Sequence, residues 1–257
     1  MHNAYAPSNR IMTKVMRRIT PLRNRRDIRF TLDRPLVSFT YDDCPLSAVS
    51  HGLKPMEREG WRGTVYVASK LFGITNHHGL HMSADDAVAV ARNGHEIGGH
   101  SFSHIDGNLT PIDEFMADVA RNQNVLTDLG IANCSTFAYP FGEVTPALKT
   151  ALSRQFIGLR GITPKAMTGR ADLNQIASYP VFQGQDTTRA IAAIKASAER
   201  PAWITLFMHE VSHSPSKWGC TPPEMQAVIK AVKDVNARVL PVADAITFLK
   251  GGSDAQH

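Results

Sequence analysis

Leu36-Val37-Ser38-Phe39-Thr40-Tyr41-Asp42-Asp43 reads as a short β-rich strand that ends on two adjacent carboxylates. A run of this kind without a charged face suits a strand buried on both sides. Two carboxylates directly after it are costly to bury unless paired, hydrated or metal-bound. One Asp could equally cap a following helix, since Asp is a favoured N-cap residue. Outward from this stretch the same unit recurs. Strands are predicted at Leu36–Tyr41, Gly63–Ala68, His95–Gly98, Ser135–Tyr139, Phe156–Arg160, Ser178–Phe182, Trp203–Met208 and Arg238–Val242. Helices are predicted between them at Ala48–Glu59, Ala84–Asn93, Pro111–Leu129, Pro146–Arg154, Thr187–Glu199, Pro222–Asn236 and Ala243–Lys250. Ser83, Thr110 and Thr221 are good helix starts, and Gly94 and Gly130 are good stops. Repeated β–α units predict an α/β fold with a mainly parallel sheet, whose ligands gather at the C-terminal ends of strands. The chain has no Walker loop and no GxGxxG after a strand, which takes weight from nucleotide binding.

The chain has 257 residues, of which 43% are hydrophobic and 20% charged, and that excludes a disordered chain, a collagen and a coiled coil. The net charge of +5 is unevenly spread. Residues 1–34 carry nine basic and two acidic residues, while the remainder carries 19 basic and 21 acidic. The basic character therefore belongs to an N-terminal arm on a slightly acidic body. Cys44, Cys134 and Cys220 are too few and too scattered for a disulfide framework. Apolar residues near Ile11–Leu22 are broken by Lys14, Arg17 and Arg18, so no signal-peptide core is legible and a cytoplasmic location is expected.

His100-Ser101-Phe102-Ser103-His104 follows Gly98-Gly99 at the end of the third strand. Two His at i and i+4 on one face of a helical turn can share a cation, and the glycines would let the backbone bend. Together with a strand-end carboxylate they make a catalytic-type site for Zn²⁺ or a similar ion. Tyr139-Pro140-Phe141-Gly142 ends the fourth strand as a turn with exposed backbone N–H groups. His209 ends the penultimate strand, well placed for proton transfer. His77, His78 and His81 lie in one predicted loop with no carboxylate or strand end nearby in sequence, and are expected to be solvated. His213 and Cys220 fall in a loop, Val211–Thr221, that could cover the site.

These residues in this order resemble the polysaccharide deacetylases of carbohydrate esterase family 4, the NodB-homology enzymes. The first motif, Thr-Phe-Asp-Asp-Gly, stands here as Thr40-Tyr41-Asp42-Asp43-Cys44. The second, His-Ser-x-x-His, is intact as His100-Ser101-Phe102-Ser103-His104. The third, Arg-Pro-Pro-Tyr-Gly, stands as Ala138-Tyr139-Pro140-Phe141-Gly142, and the fifth as Phe207-Met208-His209. The resemblance implies a distorted (β/α) barrel, often seven-stranded, over residues 35–257, with 1–34 as a basic extension. It implies Asp42 as general base, His209 as general acid, and Asp43, His100 and His104 as metal ligands. The backbone N–H of Phe141 would help hold the oxyanion, and Tyr41, Tyr139, Phe141 and Trp218 would line the groove. The implied ion is Zn²⁺, with Co²⁺, Mn²⁺ or Ni²⁺ as alternatives.

Three departures bear on this reading. Cys44 replaces a Gly, Ala138 replaces an Arg that commonly orients the base, and the fourth motif is not recognisable near Gly158–Ile162. Arg160, at a neighbouring strand end, is expected to replace the missing Arg. The implied substrate is an N-acetylated hexosamine unit of an oligosaccharide, polysaccharide or glycolipid precursor, with acetate released. The alternatives are hydrolysis of a cyclic amide or imide, and a non-catalytic glycan-binding relative. No nucleic-acid partner is expected, because the proposed chemistry needs no basic field. The arm is expected either to pack beside the barrel as a solvated extension or to contact an anionic membrane.

Overall fold

The computed structural model describes residues 17–131 and 134–251. Its strands are β1 (Asp27–Arg29), β2 (Leu36–Asp42), β3 (Thr64–Val67), β4 (Thr75–Asn76), β5 (Gly79–Leu80), β6 (Glu96–Gly99), β7 (Thr136–Ala138), β8 (Gly158–Arg160), β9 (Arg170–Asp172), β10 (Tyr179–Pro180), β11 (Trp203–Met208) and β12 (Arg238–Val239). One sheet runs β10-β11-β2-β3-β6-β7-β8, with β12 also on β2, and every pairing in it is parallel. The longest ladder joins β11 to β2, from Trp203 opposite Leu36 to Met208 opposite Tyr41. The sheet curls into a distorted barrel. Ile176 bonds to Leu159 and Gly161 at one edge, and β10, four residues on at its far end, pairs with β11 at the other. Because the strands are parallel, their C-terminal ends open on one side, where the candidate residues lie.

β2 is buried at every position. Successive side chains point to opposite faces of a strand, so Phe39 and Tyr41 share one face while Ser38, Thr40 and Asp42 share the other. Phe39 stacks on Trp61 with ring centres 6.2 Å apart, and Tyr41 packs on the following helical segment. Thr40 donates to the Leu206 carbonyl, and Trp203 donates to Ser38. This alternation fixes which of two neighbouring residues faces the barrel interior.

The predicted helices form with shifted ends. Ser83 and Thr221 each close a capping box, with Asp86 and Glu224. The predicted Ala48–Glu59 helix is instead a wider turn, Ala48–Leu53, followed by a short α-helix, Lys54–Arg58. Lys54 N–H reaches back five residues to Val49, and Pro55 has no N–H to donate. Pro111 rather than Thr110 caps the helix Ile112–Asp128. Among the described residues no helix is long and apolar enough to cross a membrane.

The described part of the basic arm, residues 17–34, is built into the barrel. β1 pairs antiparallel with β9, and Phe30 is buried in a core shared with Trp203 and Ile246. The Arg26 guanidinium donates to the Ser153 and Phe156 carbonyls. The buried Lys149 ammonium holds the Thr20 and Arg23 carbonyls together with Asp172. Counting charges in the sequence could not show that the arm and the body exchange these hydrogen bonds. The part of the arm before residue 17 lies outside the described residues.

Candidate active site

Asp42 is the last residue of β2, and the two residues after it are left-handed, Asp43 at φ 60° and Cys44 at φ 63°. Asp tolerates this conformation better than most residues. Cys44 N–H donates to the Asp42 carbonyl at 2.7 Å, and its thiol is buried against the Tyr66 carbonyl at 3.4 Å. The tight turn aims the two carboxylates differently. Asp42 faces Arg160, and Asp43 faces two histidines.

Arg160 ends β8 and is fully buried. Its register partner in the ladder is Ala138, the position where the resembling motif carries arginine. The cation therefore arrives from the adjacent strand at the same level, and the small Ala138 leaves it room. Arg160 Nη2 donates to Asp42 Oδ2. The guanidinium carbon lies 5.0 Å from the Phe207 ring centre and 5.4 Å from that of Tyr66. Burial pushes the Asp42 carboxyl up, but Arg160, then His100 and His209, outweigh it and hold it below its ordinary value. Asp42 is thus an anion whose Oδ2 is taken and whose buried Oδ1 has no hydrogen-bond partner.

Asp43 Oδ1 lies 3.3 Å from His104 Nε2 and 3.6 Å from His100 Nε2. One donor atom from each of the three residues falls within 4.8 Å of the others. His100 Nδ1 lies 2.8 Å from the Ala138 carbonyl, which can only accept, so Nδ1 carries a proton and Nε2 is the ring nitrogen that faces Asp43. That is the way metal-ligating imidazoles are usually oriented. Burial pushes His104 down to about 4 despite Asp43, so this imidazole is neutral at pH 7. Asp43 Oδ1 is buried without a hydrogen bond, an orphan that a divalent ion would satisfy. Two imidazoles and one carboxylate suit Zn²⁺ or a similar ion.

The loop carrying the histidines is not the predicted helical turn. Ser101 and His104 are left-handed, at φ 57° and 54°, and the Asp118 carboxylate accepts from Phe102 N–H and Ser103 N–H at 2.8 Å each. Asp118 comes from the helix Ile112–Asp128 and holds the loop from outside the site. Gly98 and Gly99 are extended strand residues rather than a bend. A Cβ on Gly98 would lie 2.5 Å from the Tyr66 ring.

His209 directly follows β11, with its Nδ1 3.1 Å from the Trp218 carbonyl. Phe141, itself at φ 59°, and Tyr139 line the cavity above the strand ends, with Ile162, Phe182 and Trp218. The cavity has a volume of about 560 Å³. Tyr139 contributes ring only, since its hydroxyl is buried and donates to the Asn174 carbonyl. Tyr41 does not reach the cavity. It faces away from Asp42, its ring against Gly52 and its hydroxyl on Met56 Sδ, as period-two alternation requires.

The expectation for the histidine-rich loop is also corrected. β4 and β5 form a hairpin whose turn is His77-His78, and His78 and His81 are buried while His77 is exposed. His78 Nδ1 lies 2.6 Å from Glu210 Oε2, and its ring stacks on His209 with centres 4.6 Å apart. The bond spans 132 residues, so no local spacing could disclose it. The one signal in the sequence was the buried-strand context of Glu210, directly after His209. His213 is edge-on to His51, and Cys220 is buried with its N–H on the Glu210 carbonyl.

A family model described as polysaccharide deacetylase matches residues 30–158. The fold is similar to that of a family 4 acetyl xylan esterase from Clostridium thermocellum, solved with a cobalt ion. The TM-score is 0.57 at 21% identity, covering 84% of this chain and 92% of that one. A CE4 domain of a multidomain xylanase from the hindgut metagenome of Trinervitermes trinervoides gives 0.57 at 16%, covering 85% and 92%. A chitin deacetylase from Colletotrichum lindemuthianum gives 0.55 at 14%, covering 84% and 89%. No curated protein matches the chain.

Proposed function

This chain belongs to the polysaccharide deacetylase family, and from that premise we propose that it is a metal-dependent N-deacetylase. Its substrate in this reading is an N-acetylhexosamine unit of an oligosaccharide, polysaccharide or glycolipid precursor, and acetate is released. The observation that carries the reading is the Asp43–His100–His104 cluster placed beside the buried Asp42–Arg160 pair, at one end of a parallel barrel. Solved proteins of the same fold include a chitin deacetylase and an acetyl xylan esterase, both named for removing acetyl groups from glycans.

Asp43, His100 and His104 would hold a divalent ion, Zn²⁺ in our reading with Co²⁺, Mn²⁺ or Ni²⁺ as alternatives. Bound there, such an ion would supply Lewis-acid polarisation of a carbonyl and a lowered pKa of water. Asp42 takes the proton of the attacking water on Oδ1, the oxygen that Arg160 leaves unbonded. Arg160 holds Asp42 anionic and fixes its orientation, which a general base needs. The backbone N–H of Phe141 is assigned to the developing oxyanion, where one such donor is worth roughly 2.7–4 kcal/mol. Phe182 and Trp218 offer ring faces to the sugar. The leaving amine is protonated by a histidine, for which the motif names His209, directly after the strand that pairs with β2.

The test is acetate release from a panel of N-acetylated oligosaccharides by metal-reconstituted and chelator-stripped protein. Release that needs the metal is expected. A metal-loaded protein that opens a cyclic imide and frees no acetate would overturn the reading.

A further inference from the structure

Two imidazoles stand where the motif supplies one. His78 and His209 are stacked with ring planes only 4° apart and centres separated by 4.6 Å. Ring nitrogens of both lie within 4.8 Å of an Asp43 carboxylate oxygen, which at first suggests a second cation site. The stacking argues against it. An imidazole binds a cation in its own plane, along the nitrogen lone pair. Two parallel planes held apart by ring contact have no point in common, so one ion cannot satisfy both rings. The pair is better suited to holding a proton.

Two stacked imidazoles do not both carry charge readily, since like charges at this separation repel inside a protein. The partner of each Nδ1 decides between them. His209 Nδ1 meets a neutral carbonyl, Trp218, at 3.1 Å. His78 Nδ1 meets a carboxylate, Glu210, at 2.6 Å, with Ser216 Oγ at 3.3 Å. A carboxylate stabilises an imidazolium far more than a carbonyl does. Glu210 is buried and also accepts from Ser216 N–H. Burial pushes it up, yet the His78 bond prevails and holds it at about 2, an anion across the working pH range. His209 is pushed down by burial first and by His78 next. The remaining groups facing His78 are His77 and His81 on its own hairpin and Asp43 from the end of β2.

We propose that His78, held by Glu210, is a further catalytic residue and the donor of the proton taken by the leaving amine, with His209 as its neutral stacking neighbour. The proposal rests on the deacetylase reading. Water adds its oxygen to the acyl carbon and gives a proton to Asp42. The C–N bond breaks, and the nitrogen takes a proton from His78 Nε2, the ring nitrogen that Glu210 leaves unbound on a residue lining the cavity. His78 is left neutral. Exchange of Asp42 and His78 with solvent restores both, so the net reaction is amide plus water to acetate and amine.

The experiment compares two substrates on metal-loaded protein. An N-acetylated chitooligosaccharide needs its leaving nitrogen protonated, whereas 4-nitrophenyl acetate leaves as a stable phenolate. His78→Gln is expected to cut kcat/KM on the amide by about 100-fold or more and on the ester by no more than about threefold. Glu210→Gln is expected to fall between and to move the alkaline limb of the amide profile to lower pH. Equal losses on both substrates in His78→Gln, with metal content unchanged, would overturn the proposal. So would a selective amide loss in His209→Gln with His78→Gln unaffected. A readout independent of turnover is the low-field proton NMR signal of the His78–Glu210 bond, expected in wild type and missing from both His78→Gln and Glu210→Gln. Its absence from wild type overturns the assignment. Should wild type free no acetate from any glycan, the deacetylase reading falls, and that signal alone still decides whether His78 and Glu210 share a proton.

Discussion

The two walls of the cavity are built by different means. One wall is made of strand ends: Asp42 from β2, His100 just beyond β6 and Arg160 from β8. The other is made of loops: the β4–β5 hairpin with His78, and the segment after β11 with Glu210 and Trp218. Both walls join residues far apart in sequence, 118 residues for Asp42 and Arg160 and 132 for His78 and Glu210. The strand wall is set by the parallel ladder, which brings every C-terminal end to one level. The loop wall is set by particular side-chain bonds, which no backbone repeat dictates.

That contrast orders the expected effects. His104→Ala should remove metal binding and turnover together, measured as bound metal and acetate release. An active His104→Ala protein lacking metal would show that the strand wall does not form a metal centre. Asp42→Asn should keep its metal and lose roughly 10²- to 10⁴-fold in kcat, the usual scale for a general base. Full turnover of the metal-loaded variant would move the base elsewhere.

Arg160→Ala should lower kcat/KM by about 10- to 100-fold, the scale on which supporting partners act. It also carries a pH signature. Arg160 is the main group holding Asp42 below its ordinary value, against burial. Without it the carboxyl titrates higher, so the acid limb of the rate profile should move to higher pH. The stability that ionised Asp42 contributes above its unfolded pKa should likewise be lost earlier on acidification. An unchanged profile would mean that Arg160 is only packing. The smallest effect is expected at Tyr41→Phe, which removes a hydroxyl on Met56 outside the cavity. Turnover should stay within error, with less than about 1 kcal/mol of stability lost in denaturant unfolding. A large loss of turnover would return Tyr41 to the substrate groove.

The strand wall was legible because its signals are local. A hydrophobic run marks each strand, and a polar residue directly after it marks a position at the barrel mouth. Asp42, Asp43, His100, His104 and His209 were found in this way. Arg160 was found as a strand-end cation near a motif that lacks one. Tyr41 was misjudged although the needed signal was present, since alternation along β2 places it opposite Asp42. The helical turn at His100–His104 was misjudged for a deeper reason. Left-handed residues and the Asp118 carboxylate set that loop, and spacing alone does not distinguish it from a helix. His78 was misjudged because a hairpin of two-residue strands has no periodicity to read.

The sequence by itself therefore determined the barrel, the order of its strands along the chain and which residues stand at their ends. These follow from hydrophobic periodicity and from residues adjacent to it. Only the tertiary structure decided that the described basic arm is strapped to the body by buried Lys149, and that Arg160 stands beside Asp42 through its register with Ala138. Only it decided that a histidine from a surface-like loop stacks on His209. Periodicity states that a residue is buried and on which face. It does not state which distant loop closes over it, because that is settled by the hydrogen bonds and charges that burial obliges two remote segments to satisfy together.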